Sequence, residues 1–148
     1  KAIGMSGCGG ELMHCEPVAG LGRVGKPVRV DRRVLDMVMA SGYMPVVSPV
    51  SLGPHSEPLN VNADEAACAL AAALGAERLL LLSDVEGVRV DTTWQEEIAG
   101  DAIEHLIATG EVTGGMIPKL RAAAAATATP NKSACLILIV SSWCFDSA

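Results

Sequence analysis

Leu79-Leu80-Leu81-Leu82 is an unbroken apolar run, entered through Arg78 and left at Ser83-Asp84. A strand that is apolar at every position has both faces covered, the habit of a parallel sheet with helices on either side. The neighbouring segments fit such a sheet. Asp64–Leu74 is alanine-rich and of helical length, with Asp64 where an N-cap belongs and Gly75 where the helix should stop. The same order occurs earlier. Asp31–Ser41 carries Val34, Leu35, Val38 and Met39 on one helical stripe, with Asp31 as N-cap and Gly42 as stop. Met44–Ser48 then reads as a buried strand with a proline near its start. Further on, Gly87–Val90 begins a small hairpin and Asp101–Thr109 is a short helix closed by Gly110. Met116–Thr127 is a helix with Pro118 in its first turn, and Ala134–Val140 is a last strand. This alternation predicts an α/β fold, three-layered, with a mostly parallel sheet flanked by helices. The length of 148 residues suits a single domain over 1–148.

The glycine-rich start departs from that rhythm. Strands are expected near Ala2–Met5 and Glu11–Cys15 around Gly7-Cys8-Gly9-Gly10, forming a short N-terminal β-hairpin. Gly20–Gly25 follows as a loop before a strand at Val28–Val30. The glycine cluster is neither a phosphate-binding Walker loop nor a dinucleotide fingerprint, because it lacks G-K-[ST] and the G-x-G-x-x-G spacing.

Composition narrows the function. Half the residues are apolar but only 3% aromatic, so the core is built from Leu, Val, Ile, Ala and Met. The net charge of −6 opposes a nucleic-acid face, which needs a basic surface. It leaves room for an anionic ligand held by backbone N–H groups and a lysine or two. The five cysteines are an odd number without C-x-x-C spacing, so a reducing cytoplasm is expected, with Cys68 as a small buried hydrophobe inside its helix. No apolar run is long enough to span a bilayer, and no signal peptide is visible. His14, His55 and His105 are scattered and show no metal-ligand spacing.

Two loop-to-helix junctions and one strand end concentrate polar chemistry. Leu59-Asn60-Val61-Asn62-Ala63-Asp64-Glu65 places two amides and a carboxylate at the end of a loop, ahead of the alanine-rich helix. Asn and Asp favour turns and caps without any ligand. Gly110-Glu111-Val112-Thr113-Gly114-Gly115-Met116-Ile117-Pro118-Lys119 sets a lysine in the first turn of a helix, against the helix dipole, where an anion would relieve it. Ser83-Asp84-Val85-Glu86-Gly87-Val88 follows the apolar strand. In parallel sheets ligands lie beyond the C-terminal strand ends, and the Ser48–Asn62 and Ser83–Gly87 loops both follow strands.

Taken together, in this order, these three segments resemble the C-terminal half of the acetylglutamate kinase branch of the amino acid kinase family, from about Ile3 to about Ala126. The resemblance implies ATP-dependent phosphorylation of the side-chain carboxylate of N-acetyl-L-glutamate, towards arginine. Mg²⁺ would be carried with the nucleotide. It implies that Asn60 holds the amino-acid moiety and that Asp64 organises the cations around the moving phosphoryl group. A carboxylate nucleophile is already ionised and needs no general base, so positioning and charge neutralisation carry the step. Lys119 would stabilise charge developing in the transition state. Ser83, Asp84, Val85, Gly87 and Val88 would line the adenine and ribose, with Glu111, Val112, Thr113, Gly115 and Met116 on the other side of the ATP or ADP. The family also implies a homo-oligomer, while the acidic charge and the short apolar runs lead to no nucleic-acid or membrane partner being expected.

The match begins part-way through the family pattern and departs from it after Ala126. Relatives often carry Lys-Asp where this chain has Cys8-Gly9. Of the two lysines expected around the phosphoryl group, this chain supplies Lys119. Nucleotide binding is therefore expected to exceed turnover. Two alternatives stand beside the leading one: a kinase for another amino-acid carboxylate, such as carrier-bound aminoadipate, and a non-catalytic nucleotide-binding module.

Overall fold

The computed structural model describes residues 1–83, 88–90, 93–95, 98–127 and 135–140. Two compact units divide the chain, Lys1–Gly75 and Ala76–Ala148.

The first unit runs β1 (Ala2–Ser6), a short 3-10 turn (Gly9–Glu11), β2 (Met13–Pro17), β3 (Val24–Val30), α1 (Arg33–Ala40), β4 (Met44–Ser48), β5 (Val50–Leu52), β6 (Pro58–Val61) and α2 (Ala63–Leu74). β1 and β4 pair in parallel, from Ala2 opposite Met44 to Ser6 opposite Ser48. The expected hairpin of Ala2–Met5 with Glu11–Cys15 is therefore corrected. Both strands exist, but the hairpin is made one element later, where β2 pairs antiparallel with β3. The turn through Gly7–Glu11 does not fold β2 back on β1. Instead it is tied to the end of β4 and the start of β5, through Gly7 N–H to Ser48 O at 3.4 Å and Cys8 N–H to Val50 O at 3.1 Å.

β2, β3, β6 and β5 close into a four-stranded barrel. The Ser48–Asn62 segment, read from the sequence as a loop, contains two of its strands. β6 shows why it is a strand: Leu59 and Val61 are buried while Pro58 and Asn60 are exposed, a period of two. Met13, Cys15, Leu59, Val61 and Ala66 form the core, with Val30 and Leu70 packed on it. The barrel is narrow. A Cβ on Gly25 would lie 2.8 Å from the Cys15 Cβ and 3.0 Å from the Leu59 Cβ.

α1 starts one residue later than expected. Arg32 sits at its N-cap position without a side-chain cap, and Asp31 Oδ1 accepts the Arg33 N–H at 3.2 Å from just outside the helix. Leu35 is buried, but Met39 stays 40% exposed, so the inward stripe is narrower than the sequence suggests. β4 is also less covered than a buried strand: Met44 and Val46 are 64% and 55% exposed. Its paired neighbour is β1 and its packing partner α1, so one face is clothed and the alternate residues are not. Arg32 clamps the two helices of the unit. It donates to both Asp36 carboxylate oxygens, at 2.8 and 2.7 Å, and to the terminal carbonyls of α2 at Ala73 and Leu74, at 3.2 and 3.1 Å. A cation at a helix C-terminus meets carbonyls that have no intrahelical donor.

The second unit runs β7 (Arg78–Ser83), β8 (Val88–Val90), β9 (Thr93–Gln95), a 3-10 turn (Gly100–Ala102), α3 (Ile103–Ala108), α4 (Met116–Thr127) and β10 (Cys135–Val140). β7 and β10 pair in parallel from Arg78 opposite Cys135 to Ser83 opposite Val140. The expected strands, the hairpin at Val88–Val90 and the helix containing Pro118 are all present. Within β7, Leu81 is buried while Leu80 is 51% exposed, less covered than an unbroken apolar run leads one to expect. Val88, Ile103, Leu106, Val112 and Leu120 make the core of this unit. A bidentate Arg121–Glu104 pair, at 2.8 and 2.9 Å, fastens α4 to α3. The α/β class and the parallel pairing agree with the sequence reading; the barrel was not foreseen.

Candidate functional site

In the first unit, Asn60 lies on the exposed side of β6, held between two neighbouring strands with Val24 and Val50 as its register partners. Its backbone N–H donates to Arg23 O at 2.9 Å, and the next N–H, of Val61, donates to Pro49 O at 2.8 Å. The side-chain amide is exposed at the end of the barrel strand that leads into α2.

The turn into α2 corrects one expectation. Asn62, not Asp64, is the N-cap: its backbone is extended (φ −58, ψ 129) and its Oδ1 accepts from the Asp64 and Glu65 N–H groups at 2.9 and 3.2 Å. Capping by Asn62 leaves Asp64 inside the first turn, its side chain half-buried. A sequence signal for this exists, since Asn62 is followed three residues later by Glu65, the spacing of a capping box. The helix ends as expected at Gly75 in the left-handed conformation (φ 66). One turn beyond Asp64, burial pushes the Cys68 thiol up to about 11, helped by the negative charge of Asp64 and Glu65. Cys68 is thus the buried, inert hydrophobe that its position implied.

In the second unit, the segment from Glu111 to Lys119 is a tight connection between α3 and α4. The N–H groups of Glu111 and Val112 both donate to Leu106 O, at 3.1 and 3.2 Å. Thr109 Oγ1 lies 2.9 Å from Glu111 Oε1, as donor to that carboxylate. The other oxygen, Glu111 Oε2, is buried and has no hydrogen-bond partner among the described residues. Val112 enters the core beside Val88 and Leu120, and Met116 packs on the same cluster. The side chains of Val88 and Val112 are therefore packing groups, and what they present outward is backbone. Thr113, Gly114 and Gly115 are exposed. Gly114 is left-handed (φ 60), and a Cβ on Gly114 or Gly115 would meet nothing within 4 Å, so the backbone here is open to a close approach. Lys119 sits half-buried in the first turn of α4. Backbone N–H groups at the start of a long helix, a glycine pair in front and a lysine one turn in make a arrangement suited to an anion.

Asn60 and Asp64 are thus brought together in one unit, and Glu111, Val112, Thr113, Gly115, Met116 and Lys119 in the other. Ser83 ends β7. Asp84, Val85 and Gly87 lie outside the described residues. Among the described residues no group of His, Cys, Asp and Glu side chains could cage a metal ion, and no helix is long and apolar enough to cross a membrane.

Comparison with known proteins gives a consistent picture. The family described as "Amino acid kinase family" matches residues 1–138. An acetylglutamate kinase of Rubrobacter xylanophilus is 49% identical over 125 residues, covering 84% of this chain and 49% of its own length. One from Chloroflexus aurantiacus is 48% identical over 131 residues, covering 85% and 52%. The chain spans about half the length of the curated relatives it matches. Among solved structures, that of smu.665 from Streptococcus mutans has a TM-score of 0.76 at 29% identity, covering 80% of this chain and 49% of that one. Carbamate kinase from Giardia lamblia bound to AMP-PNP has a TM-score of 0.68 at 17% identity, covering 94% and 56%, a likeness of fold alone.

Proposed function

The chain belongs to the amino acid kinase family, and from that premise we propose that it supplies the nucleotide site and part of the catalytic site for ATP-dependent phosphorylation of the side-chain carboxylate of N-acetyl-L-glutamate, a step towards arginine. The observation that carries this reading is the open Thr113–Gly115 backbone running into α4 with Lys119 in its first turn, in a chain 49% identical over 125 residues to an acetylglutamate kinase.

In this reading the bond from the γ-phosphorus to the bridging oxygen of ATP breaks and a bond to a carboxylate oxygen forms, giving an acyl phosphate and ADP. No proton has to be removed from the nucleophile. The protein's work is then orientation and neutralisation of the equatorial phosphoryl oxygens. Lys119 and the α4 N-terminus bring positive potential to the phosphates. Asp64, in the first turn of α2, orders the cations around the moving group. Asn60 orients the acyl amino acid. Ser83, Asp84, Val85, Gly87 and Val88, with Glu111, Val112, Thr113, Gly115 and Met116 across from them, accept the nucleoside, Val88 and Val112 contributing backbone. Mg²⁺ would be carried with the nucleotide rather than by a cage of protein side chains, and would supply charge neutralisation at the phosphates.

Trapping the acyl phosphate with hydroxylamine tests this. Hydroxamate formed from ATP and N-acetyl-L-glutamate, and abolished by Lys119→Ala, supports the reading. Hydroxamate from a carrier-bound aminoadipate instead moves the substrate assignment. Binding of Mg-ADP with no hydroxamate from either acid makes the chain a nucleotide-binding module.

A further inference from the structure

Two thiols of the first unit gather around one buried hydroxyl, and phosphoryl transfer uses none of the three. Cys8 is half-buried in the turn after β1. Its backbone N–H and its thiol both donate to the carbonyl oxygen of Val50, at 3.1 and 3.6 Å. Ser51 follows Val50 on β5 and is fully buried. A Cβ on Gly7, the residue before Cys8, would lie 2.8 Å from that Val50 oxygen and 2.5 Å from Ser51 Oγ, so the turn is pressed directly onto the hydroxyl. Cys15 is buried in the barrel core on β2.

The Ser51 hydroxyl has no partner in ordinary hydrogen-bond geometry among the described residues. A buried donor without an acceptor is costly, and a negatively charged sulfur beside it would supply one. Cys15 is placed to be that sulfur. Burial raises its thiol, the Ser51 hydroxyl acts the other way, and Cys8 lies near enough for its charge to be felt there. Val50 is also the register partner of Asn60, which puts the two thiols one strand away from the candidate substrate residue.

We propose that Cys8 and Cys15 are a redox-active dithiol, with the Ser51 hydroxyl donating to the Cys15 sulfur as a Cys8–Cys15 disulfide closes. The reactant is a hydroperoxide, in the simplest case hydrogen peroxide, and it meets the half-buried thiol first. The Cys8 sulfur attacks one peroxide oxygen, the O–O bond breaks, and Cys8 sulfenic acid and water form. The Cys15 sulfur then attacks the Cys8 sulfur. Hydroxide leaves and takes up the Cys15 proton as a second water. The two thiols together lose two electrons, and one peroxide is reduced to two waters. Exchange with small thiols reverses the bond, as a reducing compartment requires. Ser51 is a positioning residue in this scheme, acting through Cys15.

The test treats the intact chain with hydrogen peroxide and maps its disulfides by mass spectrometry of unreduced peptides. The wild type should yield the Cys8–Cys15 linkage, and dithiothreitol should remove it. C15S should stop at Cys8 sulfenic acid, trapped by dimedone. C8S should leave Cys15 unoxidised, and C68S should form the same bond as the wild type. S51A should close the bond about tenfold more slowly, the scale of one lost charge-assisted hydrogen bond, while Cys8 is first oxidised at the wild-type rate. A purely structural role for Ser51 would not separate those two rates. A folded wild type that remains reduced, that accumulates Cys8 sulfenic acid without closing, or that links Cys15 to Cys68 overturns the proposal. An unchanged closing rate in S51A overturns the part given to Ser51.

Discussion

Asn62 Oδ1 accepts the backbone N–H of Asp64 at 2.9 Å, so the amide closes the start of α2 and the carboxylate stands inside the first turn. The two residues divide between them the work that the sequence had assigned to one. Asn62 satisfies orphan donors of the helix, and the Asp64 side chain is not spent on capping. Replacing Asn62 by Ala should lower stability by about 1 kcal/mol, with Asn62→Asp or Asn62→Ser close to wild type. Denaturant unfolding reads this directly. An unchanged midpoint in Asn62→Ala would show that the cap carries no weight.

The approach of Gly7 to β5 makes a second prediction. A Cβ at Gly7 would lie 2.5 Å from Ser51 Oγ and 2.8 Å from Val50 O. Ser51 is fully buried, and its hydroxyl has no partner in ordinary hydrogen-bond geometry among the described residues, although it lies close enough to the Cys15 thiol to favour thiolate slightly; burial outweighs this and raises that thiol. Gly7→Ala should therefore destabilise the first unit by roughly 1–3 kcal/mol, as overpacking does. Adding Ser51→Gly removes one obstacle and leaves the backbone carbonyl, so the double variant should recover only in part. Ser51→Ala alone should be neutral or stabilising, because it deletes an unpaired buried hydroxyl. Thermal unfolding of the four proteins distinguishes these outcomes, and full rescue by Ser51→Gly would show that the Val50 carbonyl is no obstacle.

Acid should act through Asp31. Hydrogen bonds from the Arg33 side chain and backbone hold its carboxyl at about 2, below the usual 3.8. The folded value lies below the unfolded one, so the contribution is complete above about 3.8 and is lost as pH falls towards about 2. Asp31→Asn should remove this part of the pH dependence. The stability difference between wild type and Asp31→Asn, followed by unfolding from pH 6 to pH 2, should be positive at the upper end and vanish at the lower. A difference independent of pH would assign the Asp31 effect to packing.

Much of this architecture is legible in the sequence where one residue type has one physical job. Gly75 stops α2 because a left-handed C-cap favours glycine, Pro118 marks a first turn because no donor is lost there, and the apolar run at Leu79–Leu82 is a parallel strand. The small barrel was not legible, because β5 and β6 are three and four residues long and are separated by a turn containing Gly53 and Pro54. Their apolar alternation is too short to stand out from a loop, and their partners β2 and β3 lie far back in the chain. The N-terminal pairing failed for a related reason. A glycine-rich turn suggests a hairpin, but the register of β1 is set by β4, across a whole helix. At the candidate site, the sequence reading put Asn60 in a loop and Asp64 at the N-cap, whereas Asn60 lies on the short strand β6 and Asn62 is the cap. Val88 and Val112 look like ligand-lining residues by position, yet their side chains are needed by the core of the second unit.

Titrating Mg-ADP into the purified chain by calorimetry, with Asp84→Ala as the comparison, tests the central claim most directly. The account predicts saturable binding by the wild type that is lost in Asp84→Ala. No binding by a chain whose circular dichroism and cooperative unfolding show it to be folded would contradict it, and would mean that the family's nucleotide site is not functional in this molecule.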